Sequence, residues 1–142
     1  MQKVLLVDDS PDWREQMEWA AHAPDRELTA TQTAGEAIRK ILNENFDLVV
    51  TDLQLPQEDG GVPDIEGGMS VLKKAKEKDP YTQVIVCTAA GTQAISVKAM
   101  RCGAFDYLER AAVATSHLQM LKMKIDLALE FRSLKLREAQ VI

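Results

Sequence analysis

The chain has 142 residues, of which 46% are hydrophobic, enough to bury the core of a single domain of common size. Its 22 acidic and 17 basic residues give a formal net charge of -5, which disfavours nucleic acid as a direct ligand. The apolar runs are too short to span a bilayer, and the first residues, MQKVLLVDDS, are unlike a signal peptide. We therefore expect a cytoplasmic protein without membrane contact. Cys87 and Cys102 lack metal-site spacing, which predicts reduced thiols.

Short β-branched or aliphatic runs alternate with longer helical patterns along the chain. This alternation is typical of βαβ units and predicts an α/β fold with a parallel sheet covered on both faces. The first, third and fourth runs are almost entirely apolar, as central strands are. The predicted strands span residues 3–7, 27–33, 47–51, 83–88 and 104–109.

Helix start and stop signals separate these runs. Ser10 and Pro11 provide an N-cap and a first-turn proline for a helix that we predict to end near residue 23. A second helix begins at Thr33 or Ala34 and ends near residue 43. The third is predicted over 69–78, and the fourth over 92–101 with Gly103 behind it.

The last helical pattern, residues 116–138, is longer than packing on one sheet requires. It carries two offset apolar stripes, which are Leu118, Leu121, Ile125 and Ala128, and then Leu127, Phe131 and Leu134. We expect a domain over 1–129 and a C-terminal extension of the helix over 130–142. The extension is a linker or dimerisation segment, or else the helix is simply amphipathic along its whole length.

Polar residues stand where the predicted strands end, at the edge of a parallel sheet where ligands gather. Asp8 and Asp9 follow the first strand and Asp52 the third. Thr88 ends the fourth strand and Arg110 follows the fifth. Three carboxylates in one crevice repel one another unless a cation neutralises them, and Mg²⁺ prefers oxygen ligands. The pattern therefore predicts a cation site.

A carboxylate can also attack phosphorus and form an acyl phosphate. Asp52 is the central candidate because it comes from the middle of the sheet, and Thr88 and Arg110 fit the hydroxyl and fixed cation that phosphoryl transfer uses. Taken singly, each residue has a simpler interpretation, such as a helix cap, a turn, a strand end or a solvated charge. Their joint placement at successive strand ends favours a cation and phosphoryl site.

Four segments, KVLLVDDS, DLVVTDLQLP, QVIVCTAAG and AMRCGAFDYLER, resemble the receiver domains of bacterial response regulators, from residue 3 to about 129. The last two look most like receivers of enhancer-binding activators of the nitrogen-regulation type. The resemblance implies a doubly wound, flavodoxin-like fold with five helices and five parallel strands in the order 2-1-3-4-5. It also implies a Mg²⁺ ion, for which the expected ligands are Asp8, Asp9, Asp52 and the backbone carbonyl of Gln54.

The resemblance further implies that a sensor histidine kinase or phosphotransfer protein phosphorylates Asp52. Thr88 and Tyr107 would form a switch, with the fourth helix, fifth strand and fifth helix as the output face. A homodimer through that face or through the last helix is expected. Such a domain is no enzyme beyond self-phosphorylation and self-dephosphorylation. The sequence contains no ATPase or DNA-binding module, so we expect a stand-alone receiver or an excised domain.

The sequence departs from the family pattern at two places. Arg110-Ala111 stands where Lys-Pro is usual, so a planar fork replaces an ammonium and a cis peptide is not expected. The stretch QEDGGVPDIEGG, residues 57–68, is longer than usual and reads as a solvated loop in preference to a lid over the site. Gln54 and Ala90 occupy positions that the resemblance links to phosphoryl lifetime.

Two other interpretations stay open. Arg110 and the missing proline favour a pseudo-receiver that signals without phosphate. The intact acidic residues oppose this interpretation. A Mg²⁺-dependent phosphohydrolase would place a second acid two residues after the nucleophile, where this chain has Gln54. The hydrolase is therefore weakly supported.

Overall fold

A computed structural model describes residues 1–89, 91–110 and 114–140. Its strands form one parallel sheet in the order β2-β1-β3-β4-β5, which confirms the predicted fold. The strands are β1 (Gln2–Val7), β2 (Arg26–Thr31), β3 (Leu48–Thr51), β4 (Gln83–Thr88) and β5 (Asp106–Glu109). The helices are α1 (Pro11–Ala21), α2 (Ala34–Asn43), α3 (Ile65–Lys78), α4 (Gln93–Arg101) and α5 (Ala114–Gln140).

The sheet divides the core into two layers, because side chains alternate between its faces along each strand. Leu5 and Val7 of β1 pack with α2, α3 and α4 on one face. Val4 and Leu6 pack with α1 and α5 on the other. Both faces are buried, and this explains why the central strands are almost entirely apolar.

Hydrogen-bonding side chains begin four of the helices. The N-caps Ser10, Thr33, Asp64 and Thr92 each accept a hydrogen bond from a backbone N–H in the first turn. Gly103, which follows α4, adopts a φ of 102°, a left-handed conformation that glycine permits at a helix end.

The predicted start of α3 was wrong, since the helix begins at Ile65 and not at residue 69. Gly67 and Gly68, which suggested a loop, lie inside the helix where it crosses the chain after β3. A Cβ on Gly68 would lie 2.3 Å from the carbonyl oxygen of Asp52, and one on Gly67 would lie 2.3 Å from that of Leu55. The glycines therefore permit a close approach of two backbones.

Other element ends also differ from the prediction by one or two residues. Strand β2 ends at Thr31 because Thr33 caps α2, and β5 begins at Asp106 and not at residue 104. Ala104 instead bonds back to α4 through Ala99.

Helix α5 buries the first predicted stripe, with Leu121, Ile125 and Ala128 in the core. Leu127 and Leu134 of the second stripe are exposed. An ion pair of 2.7 Å between Arg132 and Asp47 attaches the helix to the sheet beyond its last buried turn. None of the helices in the described part of the chain has the length and apolar character that crossing a bilayer would need.

Gly68→Ala should destabilise the protein by about 1–3 kcal/mol, because the new methyl group meets backbone atoms that have no room to move. Chemical denaturation measures the effect. Lys73→Ala, at an exposed position of the same helix, serves as the control and should change stability by no more than about 0.5 kcal/mol. Equal stability of the two variants would contradict the close approach.

Candidate functional site

The backbone hydrogen-bond ladder continues past the strand ends and brings the predicted site residues together. The Asp52 N–H donates to the carbonyl of Val7 at 2.9 Å, which places Asp52 beside Asp8. The Arg110 N–H donates to the carbonyl of Thr88 at 3.0 Å. The site is therefore a product of strand register.

The three acids Asp8, Asp9 and Asp52 form what we call the acidic cluster. One carboxylate oxygen from each lies within 4.8 Å of the others. Asp8 is fully buried and Asp52 is 6% exposed, whereas Asp9 is exposed and opens the cluster to solvent. The oxygen donors and the open side suit a hard cation such as Mg²⁺, which keeps some of its water ligands.

Backbone groups fix one oxygen of each buried acid. Asp8 Oδ1 accepts a hydrogen bond from the Ser10 N–H at 2.9 Å. Asp52 Oδ1 accepts from the N–H of Leu53 at 2.7 Å and from that of Gln54 at 3.4 Å. Each acid therefore has a second oxygen, Oδ2, that these bonds leave for another partner.

Arg110 takes that place. Its guanidinium donates a short hydrogen bond to Asp8 Oδ2, and its Nη1 lies 3.6 Å from Asp52 Oδ2. The side chain is only 5% exposed, so the interpretation of Arg110 as a solvated charge was wrong. Burial raises the pKa of Asp8 to about 6, although the charge of Arg110 and the Ser10 N–H oppose the shift.

A wall of three side chains, Trp13, His117 and Cys87, lies beside Arg110 and was not predicted from the sequence. The guanidinium carbon lies 4.3 Å from the ring centroid of Trp13. His117 packs its edge on Trp13 at a centroid distance of 5.4 Å, and its Nε2 lies 4.0 Å from Cys87 Sγ. A tryptophan one turn after an acidic pair was the available signal for Trp13.

The wall is electrically neutral at ordinary pH. Burial and the charge of Arg110 lower the pKa of His117, and burial raises the pKa of Cys87 to about 11. Cys87 and Cys102 are free, as predicted.

The two predicted switch residues lie on neighbouring strands. Thr88 is fully buried at the end of β4. Tyr107 packs against the core, and its hydroxyl lies so close to Gly91 that a Cβ there would be 2.1 Å away. Burial, followed by the charges of Glu109 and Asp52, raises the pKa of Tyr107.

The segment after β3 is tied to α2 and α3. The Gly35 N–H donates to the carbonyl of Gln57 at 2.8 Å, and Glu58 pairs with Arg39 at 2.9 Å. Asp64 caps α3, and its neighbour Glu66 pairs with Lys98 at 3.5 Å. These contacts favour a structural loop over a lid.

Ala90 and Ala111, which carry the predictions on phosphoryl lifetime and on the peptide after Arg110, lie outside the described residues. Gln54 is exposed, and its N–H faces Asp52.

Comparison with known proteins gives the same family as the motifs. The family model described as response regulator receiver domain matches residues 4–122. The response regulator protein PilR of Pseudomonas aeruginosa is 31% identical over 140 residues, which cover 99% of this chain and 29% of PilR. The chemotaxis protein CheY of Listeria monocytogenes is 31% identical over 123 residues, 86% of this chain and 97% of CheY.

Among solved structures, the signal receiver domain of a putative LuxO repressor protein from Vibrio parahaemolyticus superimposes with a TM-score of 0.77. It is 28% identical, and the match covers 94% of each chain. This chain thus spans less than a third of PilR but nearly all of two single-domain relatives.

The raised pKa of Asp8 predicts a pH dependence of stability in buffer free of divalent cations. The folded state binds this proton more tightly than the unfolded state does. The protonated Asp8 therefore adds to the free energy of unfolding below about pH 4, and this stabilisation is lost as pH rises to about 6. Asp8→Asn should therefore become more stable relative to wild type across this window, by up to about 3 kcal/mol.

Denaturant titrations from pH 4 to pH 7.5 measure the difference, with Asp59→Asn in the exposed loop as the control for loss of one charge. A difference between Asp8→Asn and wild type that stays constant with pH would contradict the buried position of Asp8.

Proposed function

Because the chain belongs to the response regulator receiver family, we propose that it is a signalling domain in which Asp52 accepts a phosphoryl group in a Mg²⁺-dependent reaction. The observation that carries the proposal is the convergence of Asp8, Asp9 and Asp52 within 4.8 Å at one sheet edge. Thr88 ends β4, the neighbour of β3, and Arg110 follows β5, the next strand in the sheet.

The acidic cluster and the backbone carbonyl of Gln54 would hold the metal. A bound Mg²⁺ would neutralise charge on the oxygens of the incoming phosphoryl group. The carboxylate of Asp52, whose Oδ1 accepts hydrogen bonds from two backbone N–H groups, is the nucleophile. It forms the P–O bond as the P–N bond to the donor histidine breaks, and the histidine nitrogen keeps the electron pair.

The hydroxyl of Thr88 and the guanidinium of Arg110 would contact the phosphoryl oxygens after transfer. Thr88 lies one strand from Asp52, and Arg110 lies within reach of its Oδ2. Tyr107 pairs in register with Val86, two residues before Thr88, so movement of Thr88 would be passed to its ring. We propose this coupling as the switch.

The output is a binding event and not catalysis. The donor is a sensor histidine kinase or phosphotransfer protein in the cytoplasm. Exposed apolar residues lie on α4 and α5 and make these helices the candidate dimer or effector surface; they include Val97, Met100, Met123, Leu127 and Leu134. Residues 130–142 would serve as the linker or dimerisation segment.

The test is the intact mass of the protein after incubation with Mg²⁺ and a small acyl-phosphate donor. Wild type should gain one phosphate, and Asp52→Asn should gain none, because an amide cannot act as the nucleophile. Asp59→Asn, which leaves the acidic cluster whole, is the matched control and should behave as wild type. An adduct on Asp52→Asn, or none on folded wild type, would refute the proposal.

One observation favours a second candidate, a phosphate-independent interaction module. Arg110 already neutralises part of the acidic cluster without a metal. Such a module would show no phosphate adduct in the same experiment.

A further inference from the structure

The oxygens that Arg110 contacts are the ones a metal ion would need. Asp8 Oδ1 and Asp52 Oδ1 accept hydrogen bonds from backbone N–H groups, whereas both Oδ2 atoms face the guanidinium. Because a cation between Asp8 and Asp52 meets the least competition from backbone donors at the Oδ2 atoms, these atoms are its expected ligands. Metal and guanidinium therefore compete for the same two oxygens.

The shape of arginine suits this position. The planar fork of Arg110 spans two carboxylates at once, through Nη2 to Asp8 and Nη1 toward Asp52. Since a lysine ammonium is a single point charge, it reaches two separated carboxylates less well. The charge remains at every ordinary pH, so only displacement can free the oxygens.

Trp13 holds the guanidinium in place. The guanidinium carbon lies 4.3 Å from the Trp13 ring centroid, within the range of a cation–π contact. His117 packs against the same ring in a T-shaped arrangement. Arg110 must leave this contact, as well as its ion pairs, to make room for a metal.

We propose that Arg110 is a tethered counter-cation of the acidic cluster, that it competes with the divalent metal for Asp8 and Asp52, and that Trp13 is the positioning residue that strengthens the competition. This inference rests on the proposed metal site. It makes metal binding and displacement of Arg110 a single step, so this chain binds Mg²⁺ more weakly than its three acids alone would.

The test is the dissociation constant for Mg²⁺, and for Mn²⁺ as a second ion, measured by titration calorimetry on the full chain. Arg110→Gln removes the competitor and should lower the dissociation constant by about tenfold or more. The dissociation constant of Arg110→Lys should lie between those of Arg110→Gln and wild type. Arg14→Gln is the matched control, because Arg14 bonds the Asp8 carbonyl at 2.8 Å and not its carboxylate, and the constant should stay within about twofold of wild type.

The role of Trp13 is tested in both backgrounds. Trp13→Leu should tighten metal binding when Arg110 is present and leave it unchanged in the Arg110→Gln background. A merely structural role for Trp13 would change the constant equally in both. Circular dichroism and thermal melts confirm that each variant is folded, and Arg110→Lys keeps the test decisive should Arg110→Gln unfold.

Unchanged or weaker metal binding by Arg110→Gln and Arg110→Lys would overturn the inference. The phosphate adduct on Asp52, measured in parallel, separates this failure from failure of the proposed function. An adduct on wild type with equal metal affinities would remove the Arg110 inference alone. No metal binding by any variant would overturn both.

Discussion

This site depends on one constraint: three converging carboxylates need a positive charge among them. Parallel strands β1 and β3 lie side by side, so the acids that follow them meet at one sheet edge. The burial of Asp8 and, to a smaller extent, repulsion from Asp52 oppose its ionisation, which is why the pKa of Asp8 rises to about 6. A positive charge between them relieves both effects. Arg110 supplies one from within the chain, and a metal ion would supply a larger one.

The packing of the fold sets the geometry of the acidic cluster. Both faces of the central strands are buried, so β1 and β3 cannot shift register without exposing apolar side chains. Helix α3 crosses directly over the peptide of Asp52, and Gly68 permits the contact. The position of the proposed acceptor is therefore fixed by long-range packing as much as by its own strand.

Much of the architecture could be predicted because its signals are local. Runs of β-branched and aliphatic residues indicated the strands, polar residues at their ends indicated the site, and Ser10 indicated a helix start. The strand order came from the family resemblance, since pattern alone does not order parallel strands. The start of α3 was missed because glycine in a local sequence pattern indicates a loop. Gly67 and Gly68 are instead required inside the helix by its close contact with a backbone segment distant in sequence.

The contacts of Arg110 could not be predicted for the same reason. Its charge near Asp52 followed from strand order, but its bond to Asp8 and its stacking on Trp13 depend on side-chain packing between α1 and α5. Guanidinium and metal should exclude each other from the same oxygens, and crystal structures of wild type at one pH, without and with saturating Mg²⁺, test this exclusion. Arg110 should lie on Asp8 in the first structure, and in the second the metal should lie on Asp8 with Arg110 withdrawn. A bound metal with the Arg110–Asp8 contact intact would contradict it.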